Sequence, residues 1–353
     1  MSLILTFLGK GGVGKTTAAI AIARAFANQN KQVLYVGQQA GDDLSMRLNT
    51  ELSIEPQLIA PNFTAVHLQS TVLLEKYWDK MKGLETQYLR TPFFKEVYGQ
   101  ELGILPGMDS ALGLSFLRER DAEGKYDVII YDGLGDLETL RMLGMPEILG
   151  WYLRRFKQVL TGSAIGQAIS PFVEPILRSI LQVSSSDDIS QQAGEMSSVL
   201  TRGQKAVNDP SRVAAYLVTT GDPYAIATAK YLWGSAQQVG LTVGGVLSRA
   251  PISDEIFEPL GVLSIPDQVT ELSIPDHLAN LAPKPIEINP VTKQVKLFLP
   301  TFNKKQVKLI QLGPEVTIEA GDQRRNIFLP NELAGKQATG AKFQDSYLII
   351  SFG

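Results

Sequence analysis

The sequence predicts an α/β chain: a parallel sheet flanked by helices, followed by a small antiparallel β-sandwich. Three observations carry that prediction. Short continuous apolar runs alternate with helical segments as far as residue 283. A glycine-rich turn joins the first of these runs to the first helix. Beyond Pro283 and Pro285 the texture changes to short alternating segments punctuated by Gly, Pro and Asn. Strands alternating with helices form βαβ units and a sheet covered on both faces. Strands recurring about every 8–12 residues build a sandwich.

Taken in order, Ser2–Leu8 is a run of large apolar residues interrupted after Ser2 only by Thr6, typical of a buried parallel strand. Thr16–Gln29 is rich in Ala, with Arg24 and other polar residues facing out, and predicts a helix. Gln32–Val36 is a second strand, and Phe63–Leu68 and Leu102–Leu105 are weaker candidates. Asp127–Tyr131 is β-branched and followed by Asp-Gly, a strong strand signal. Ala214–Thr219 and Val243–Leu247 flank a helix over about Ala225–Gln238. Arg141–Val183 reads as helical and carries Met142, Leu149, Trp151 and Phe156, side chains that either close a core or line an adaptable groove. Ser184–Gly194 is small and polar, which predicts a connector. The alternating segments near the end are Gln294–Phe298, Gln306–Leu312, Glu315–Glu319, Arg325–Leu329 and Ser346–Phe352.

Composition narrows the chemistry. The chain of 353 residues is 44% apolar and 20% charged, enough for a packed core. A net charge of -3 argues against bulk electrostatic binding to nucleic acid. Lys293, Lys296, Lys304, Lys305 and Lys308 read as the solvent face of strands rather than a phosphate-binding patch. With no cysteine, thiolate zinc sites, Fe–S clusters and disulfides are excluded, and a soluble, reducing compartment such as the cytoplasm is expected. His67 and His277 are the two histidines, too few for a multi-histidine metal site. His67 reads as a satisfied strand side chain, and His277 falls in a Pro-rich loop. No apolar run reaches the roughly 18 residues of a membrane span, and the short apolar start lacks a basic leader, so no signal peptide is expected.

Gly9-Lys10-Gly11-Gly12-Val13-Gly14-Lys15-Thr16 matches G-x-x-x-x-G-K-[ST] between a strand and a helix. Glycines let the backbone turn so that successive N–H groups face phosphate oxygens. Lys15 neutralises phosphate charge, the Thr16 hydroxyl ligates Mg²⁺, and the helix adds its positive end. This predicts ATP or ADP with Mg²⁺ as ligands. Asp132 ends an apolar strand, where a carboxylate holding Mg²⁺ through water belongs.

The second lysine, Lys10, makes this the deviant form of the loop, and with it the chain resembles the arsenite/anion-transporting ATPase (ArsA) family, including its guided-entry branch that targets tail-anchored membrane proteins. Val33–Ser45 is similar to the family's switch I, Asp132–Arg141 to its switch II, and Pro106–Asp109 to its P-G-[MI]-D segment. Val218-Thr219 and Gly244–Leu247 match its later strands. Arg324-Arg325, Leu329-Pro330 and Gly340–Phe343 resemble the α-crystallin-like module fused to some members. The resemblance implies a P-loop ATPase domain over 1–283, with a helical subregion at about 141–207, and a small-heat-shock-like β-sandwich over 285–353. It implies a homodimer in which Lys10 reaches the partner's nucleotide. It implies catalytic roles for Lys10, Lys15, Gln39 and Asp132, and nucleotide contacts from Gly9 through Thr17, with Ser248 and Arg249 near the base. It further implies an apolar client, such as a transmembrane segment, with peripheral membrane contact.

Three departures matter. Gln39 stands where the family has the switch I aspartate, so it can hold a water but cannot take its proton, and slow hydrolysis is expected. Asp42 and Asp43 follow, read as solvated loop acids, and Asp136 reads as a turn residue on the phosphate side. Ser248 replaces the family's base-reading Asn, leaving one hydroxyl where an amide would both donate and accept. The absence of cysteine removes the thiolates that arsenite needs. The rival readings are a nucleotide-bound holdase that does not hydrolyse, which Gln39 favours, and a partitioning-type ATPase acting on DNA or membrane. The acidic balance and β-patterned C-terminal segment oppose the second.

Overall fold

A computed structural model describes the chain except for residues 40, 42, 78–106, 163–188, 267–268 and 276–277. The Leu102–Leu105 strand, Pro106, Asp42, His277, residues 163–183 of the helical region and 184–188 of the connector therefore lie outside the described residues.

The strands in chain order are β1 (Leu3–Leu8), β2 (Val33–Gly37), β3 (Gln57–Ala60), β4 (Phe63–His67), β5 (Val128–Asp132), β6 (Val213–Thr219), β7 (Thr242–Ser248) and β8 (Val262–Ser264). They form one sheet in the order β3-β4-β2-β5-β1-β6-β7-β8. All pairings are parallel except β3 with β4. The sheet is thus mixed at one edge, where the sequence predicts a parallel sheet. The reason is local: Pro61 and Asn62 join β3 directly to β4, too short a link for a crossover. Strands β2, β5, β6 and β7 are buried at every position, as their unbroken apolar runs require.

Helices among the described residues are α1 (Lys15–Asn28), α2 (Asp43–Leu48), α3 (Met108–Ala122), α4 (Asp136–Gly162), α5 (Ile189–Val207), α6 (Pro223–Gln238), α7 (Leu278–Leu281) and α8 (Asn331–Ala334). Helix α1 buries Ala18, Ile22 and Phe26 against one face of the sheet, in one core with Leu5, Tyr35 and Ile130. The opposite face holds Ile129, Tyr131, Leu140, Met142, Phe116 and Trp233. Met142 and Leu143 of the helical region are therefore core, at 0% and 5% exposure. The expected connector ends earlier than the sequence predicts: Ile189–Gly194 is the start of α5. Gln191, Gln192, Ala193 and Glu195 are good helix formers, and they outweigh the serines that precede them.

The C-terminal strands are β9 (Ile286–Asn289), β10 (Gln294–Phe298), β11 (Val307–Leu312), β12 (Glu315–Ala320), β13 (Gln323–Phe328), β14 (Ala338–Gln344) and β15 (Tyr347–Phe352). They form two antiparallel sheets, β14-β15-β10-β9 and β11-β12-β13. Val295, Leu297, Val316, Ile318, Leu348 and Ile350 fill the space between them. Lys293, Lys304, Lys305 and Lys308 are exposed, as the solvent-face reading expects, and Lys296 on β10 is half-buried.

This sandwich interlocks with the helices on the larger sheet. Phe298 packs edge-on against Trp233 at 5.6 Å between ring centres and belongs to the large core. Arg325, 3% exposed, donates to the Gln237 carbonyl near the end of α6 (2.9 Å) and to Asn208 (3.4 Å). The Glu147 carboxylate on α4 accepts the Asn326 backbone N–H at 2.8 Å and Gln204 Nε2 of α5 at 3.3 Å. Burial pushes the Glu147 carboxyl up and the Arg325 guanidinium down, each opposed by the other's charge. At the rim, Arg154 pairs with Glu315 at 3.3 Å, and Arg324 lies over the Trp151 ring.

Candidate nucleotide site

The site lies at the carboxyl ends of β1, β5 and β2, neighbours at the sheet centre. Chain order departs in opposite directions on the two sides of β1 at this point, which opens a crevice for a ligand. The loop after β1 turns through Gly12 (φ 85°) and Gly14 (φ 96°), left-handed values that a side chain would strain. Gly14 is the N-cap of α1, so the loop runs straight into a helix N-terminus. Around Gly11 and Gly12 no atom would meet an added Cβ within 4 Å, so that stretch of backbone is open to a ligand. Gly9 is the opposite case: a Cβ there would collide with the Val218 carbonyl oxygen, so the loop is seated directly on β6.

Lys10 is exposed, and its charge reaches Asp222, the N-cap of α6. Lys15 folds back over its own loop, donating to the Gly9 carbonyl oxygen and pairing with Asp136 Oδ2 at 3.3 Å. The other Asp136 oxygen accepts the Gly9 N–H at 3.0 Å. Asp136 therefore opens α4 and staples the loop to it, a role its place on a glycine-rich turn does not reveal. Burial raises the Asp136 carboxyl above its usual range, against the lowering effect of Lys15.

Asp132 ends β5 at 3% exposure. Its Oδ2 accepts from Tyr35 OH at 2.7 Å and from Gln39 Nε2, and the same Gln39 nitrogen joins this carboxylate to Thr16 by donating to its Oγ1. Burial raises its pKa, and the Thr16 and Tyr35 hydroxyls oppose that shift. The Gln39 carbonyl oxygen accepts from His67 Nε2 at 2.6 Å, which ties switch I to the end of β4. Gln38 is 2% exposed and wedged between Tyr131 OH and the Asp109 carbonyl. Asp43 pairs with Arg47 at 2.7 Å and is half exposed, and Arg47 also reaches Thr17.

The two residues expected near the base, Ser248 and Arg249, behave differently from each other. Ser248 is 1% exposed and its hydroxyl is taken by the Ala250 carbonyl at 2.6 Å. Arg249 lies against the loop: a Cβ on Gly14 would meet its Nη2 at 2.5 Å, and its Nε is buried with no hydrogen-bond partner. Val13 is buried beneath the loop.

The arrangement fits a nucleotide with Mg²⁺. An open run of glycine N–H groups, a lysine, a helix N-terminus and an unsatisfied arginine nitrogen favour phosphate. Thr16 and Asp132 offer hard oxygens. Mg²⁺ sites draw on one or two such protein groups and on substrate phosphates.

A sheet that is parallel except at one edge, with this loop after its first strand, defines a P-loop NTPase. More narrowly, the chain belongs to the anion-transporting ATPase (ArsA) family, whose model matches residues 2–260. The HSP20-like domain found in ArsA matches residues 292–352. The chain is similar to a putative arsenical pump-driving ATPase of Prosthecochloris vibrioformis, 26% identical over 99% of this chain and 95% of that protein. It is also similar to ATPase ASNA1 homolog 2 of Paramecium tetraurelia, 30% identical over 43% of this chain and 46% of that one. No helix among the described residues is long and apolar enough to cross a membrane.

Proposed function

We propose that the chain is a homodimeric, slowly hydrolysing Mg-ATP-dependent ATPase that uses nucleotide state to bind an apolar client. The carrying observation is the joined network at the sheet centre, Lys15 with Asp136 and Thr16 with Asp132, both reachable from one phosphate chain. In this reading Gly9–Thr17 cradle the phosphates and Lys15 neutralises them. Thr16 holds Mg²⁺, Asp132 does so through water, and Arg249 flanks the loop on the base side. Lys10, free of the loop and exposed, acts on the partner's nucleotide. Gln39 orients water without accepting its proton. Residues 1–283 and 285–353 are taken as the two units, cytoplasmic in setting. Although one relative's name refers to an arsenical pump, a chain without cysteine has no thiolate for arsenite.

The client reading rests on the family. Met142 and Leu143 lie in the core, Leu149 and Trp151 are half-buried, and among the described side chains of α4 Tyr152 is the large apolar one most exposed, at 50%; the Phe156 side chain lies outside the described residues. The holdase reading keeps one specific support, the Gln39 side chain being committed to Thr16 and Asp132.

Calorimetric ATP binding and steady-state hydrolysis of wild type and Lys15→Ala test the proposal. Loss of binding and turnover in the variant supports it, and unchanged affinity overturns it. Binding without turnover in the wild type selects the holdase.

A further inference from the structure

We propose that Gln39 is a latch on the Mg²⁺ site, and that His67 sets the latch. The inference rests on the nucleotide reading above and concerns what must move before the metal is held. A carboxamide nitrogen carries two hydrogens. Here they are given to Thr16 Oγ1 and Asp132 Oδ2, the two oxygens that a Mg²⁺ ion and its water would use. The Gln39 NH₂ group therefore stands in for the cation: it offers positive hydrogen to the same two acceptors. An aspartate at this position could not do this, because an ionised carboxylate only accepts.

The latch has a fixed end and a free end. The fixed end is the Gln39 main chain. His67, 7% exposed, donates from Nε2 to the Gln39 carbonyl at 2.6 Å, and Leu68 N donates to the neighbouring Gly37 carbonyl at 2.8 Å. The free end is the carboxamide, and it has somewhere to go. A cavity of about 320 Å³ opens beside it, lined by Gln38, His67, Gln69, Ser70, Thr71 and Leu134 among others. Its serine, threonine and glutamine groups can receive a carboxamide that has left Thr16. The swing needs only side-chain torsions, since His67 keeps the backbone in place.

Two competing acceptors must be freed before the cation is bound, so the coupling appears in metal dependence. Hydrogen bonds to a charged partner are strong enough for an effect on the order of tenfold. The test is equilibrium titration of ADP binding against Mg²⁺, with EDTA as the metal-free reference. Gln39→Leu keeps the bulk and removes both donors, and should lower the Mg²⁺ concentration for half-maximal enhancement about tenfold, each variant being measured against its own ADP affinity in EDTA. His67→Leu should shift the same midpoint in the same direction, and His67→Gln, whose amide also donates, should restore it. The latch is overturned if Gln39→Leu leaves the midpoint in place or raises it, or if His67→Leu and His67→Gln behave alike. Wild type that binds ADP in neither condition overturns the nucleotide reading itself, and the latch with it.

Discussion

Helix α4 carries two carboxylates in matching chemical settings, Asp136 in its first turn and Glu147 about three turns on. Each accepts a backbone N–H from a distant segment, Gly9 for the first and Asn326 for the second. Each feels a cation: Lys15 pairs directly with Asp136 at 3.3 Å, and the Arg325 charge acts on Glu147 without a direct ion pair. They differ in access. The Asp136 side chain is 18% exposed beside an open stretch of loop, whereas Glu147 is sealed between α4, α5 and the sandwich. The same combination thus serves two ends: where a ligand can enter, the partners are exchangeable, and where none can, they fix a joint. One helix, with Pro146 in its interior just before Glu147, connects the two.

The sealed end should be the costlier to disturb. Arg325→Ala leaves Glu147 buried without its opposing charge and uncaps the Gln237 carbonyl. A loss of roughly 3–5 kcal/mol is expected in denaturant melts. A loss below about 1 kcal/mol would mean that the joint is wet and the contrast between the two ends is false.

Gly234→Ala attacks the same joint by shape alone. The added Cβ would collide with Thr301 Oγ1 and lie 2.7 Å from the Phe302 ring, so the sandwich must shift away from α6. The expected cost is about 1–3 kcal/mol, and limited proteolysis should cut between the units sooner than in wild type.

Acidity sharpens the comparison further. Burial raises the native Glu147 carboxyl above its ordinary value of 4.5, so the folded state holds this proton more tightly than the unfolded state. Its contribution is full below the ordinary value and is lost as pH rises through the raised one. Glu147→Gln should flatten that fall in a stability–pH profile, because a neutral amide has no proton to lose. An unchanged slope would show that Glu147 titrates as an open carboxyl.

The smallest effect on stability belongs to the open end. Asp136→Asn keeps an acceptor for the Gly9 N–H and removes the charge that engages Lys15. Stability should change by less than about 1 kcal/mol, while nucleotide affinity rises severalfold because Lys15 is released toward phosphate. Weaker binding would indicate that Asp136 positions Lys15 and does not compete for it.

What the sequence disclosed follows the reach of each interaction. Strands β2, β5, β6 and β7 are legible because burial on both faces forces unbroken apolar runs. Strand β14 is not, since it is an edge whose residues are mostly exposed and include Gly340 and Lys342, and antiparallel β3 is hidden for the same reason. The phosphate loop is legible because its eight residues are contiguous. Asp136 and His67 find their partners far away in the chain, and nothing local to a turn Asp or a strand His announces that. Tyr35 left a faint signal, a hydroxyl within an otherwise apolar strand, and its partner is Asp132. Arg325 could be recognised by resemblance, but its burial depends on a joint between segments that no local pattern encodes.

The seating of Phe298 against Trp233 also bears on how the molecule is made. Trp233 is 3% exposed, and Phe298 and then Tyr347, at 5.0 Å from Phe298, stand over it in succession. During synthesis, at about 5–20 residues per second, every strand of the large sheet leaves the ribosome before β10 does, and β15 follows later still. For those seconds the nascent chain holds a complete sheet with an aromatic face still awaiting its cover. That interval, rather than any state of the finished protein, is when a chaperone would find its firmest grip.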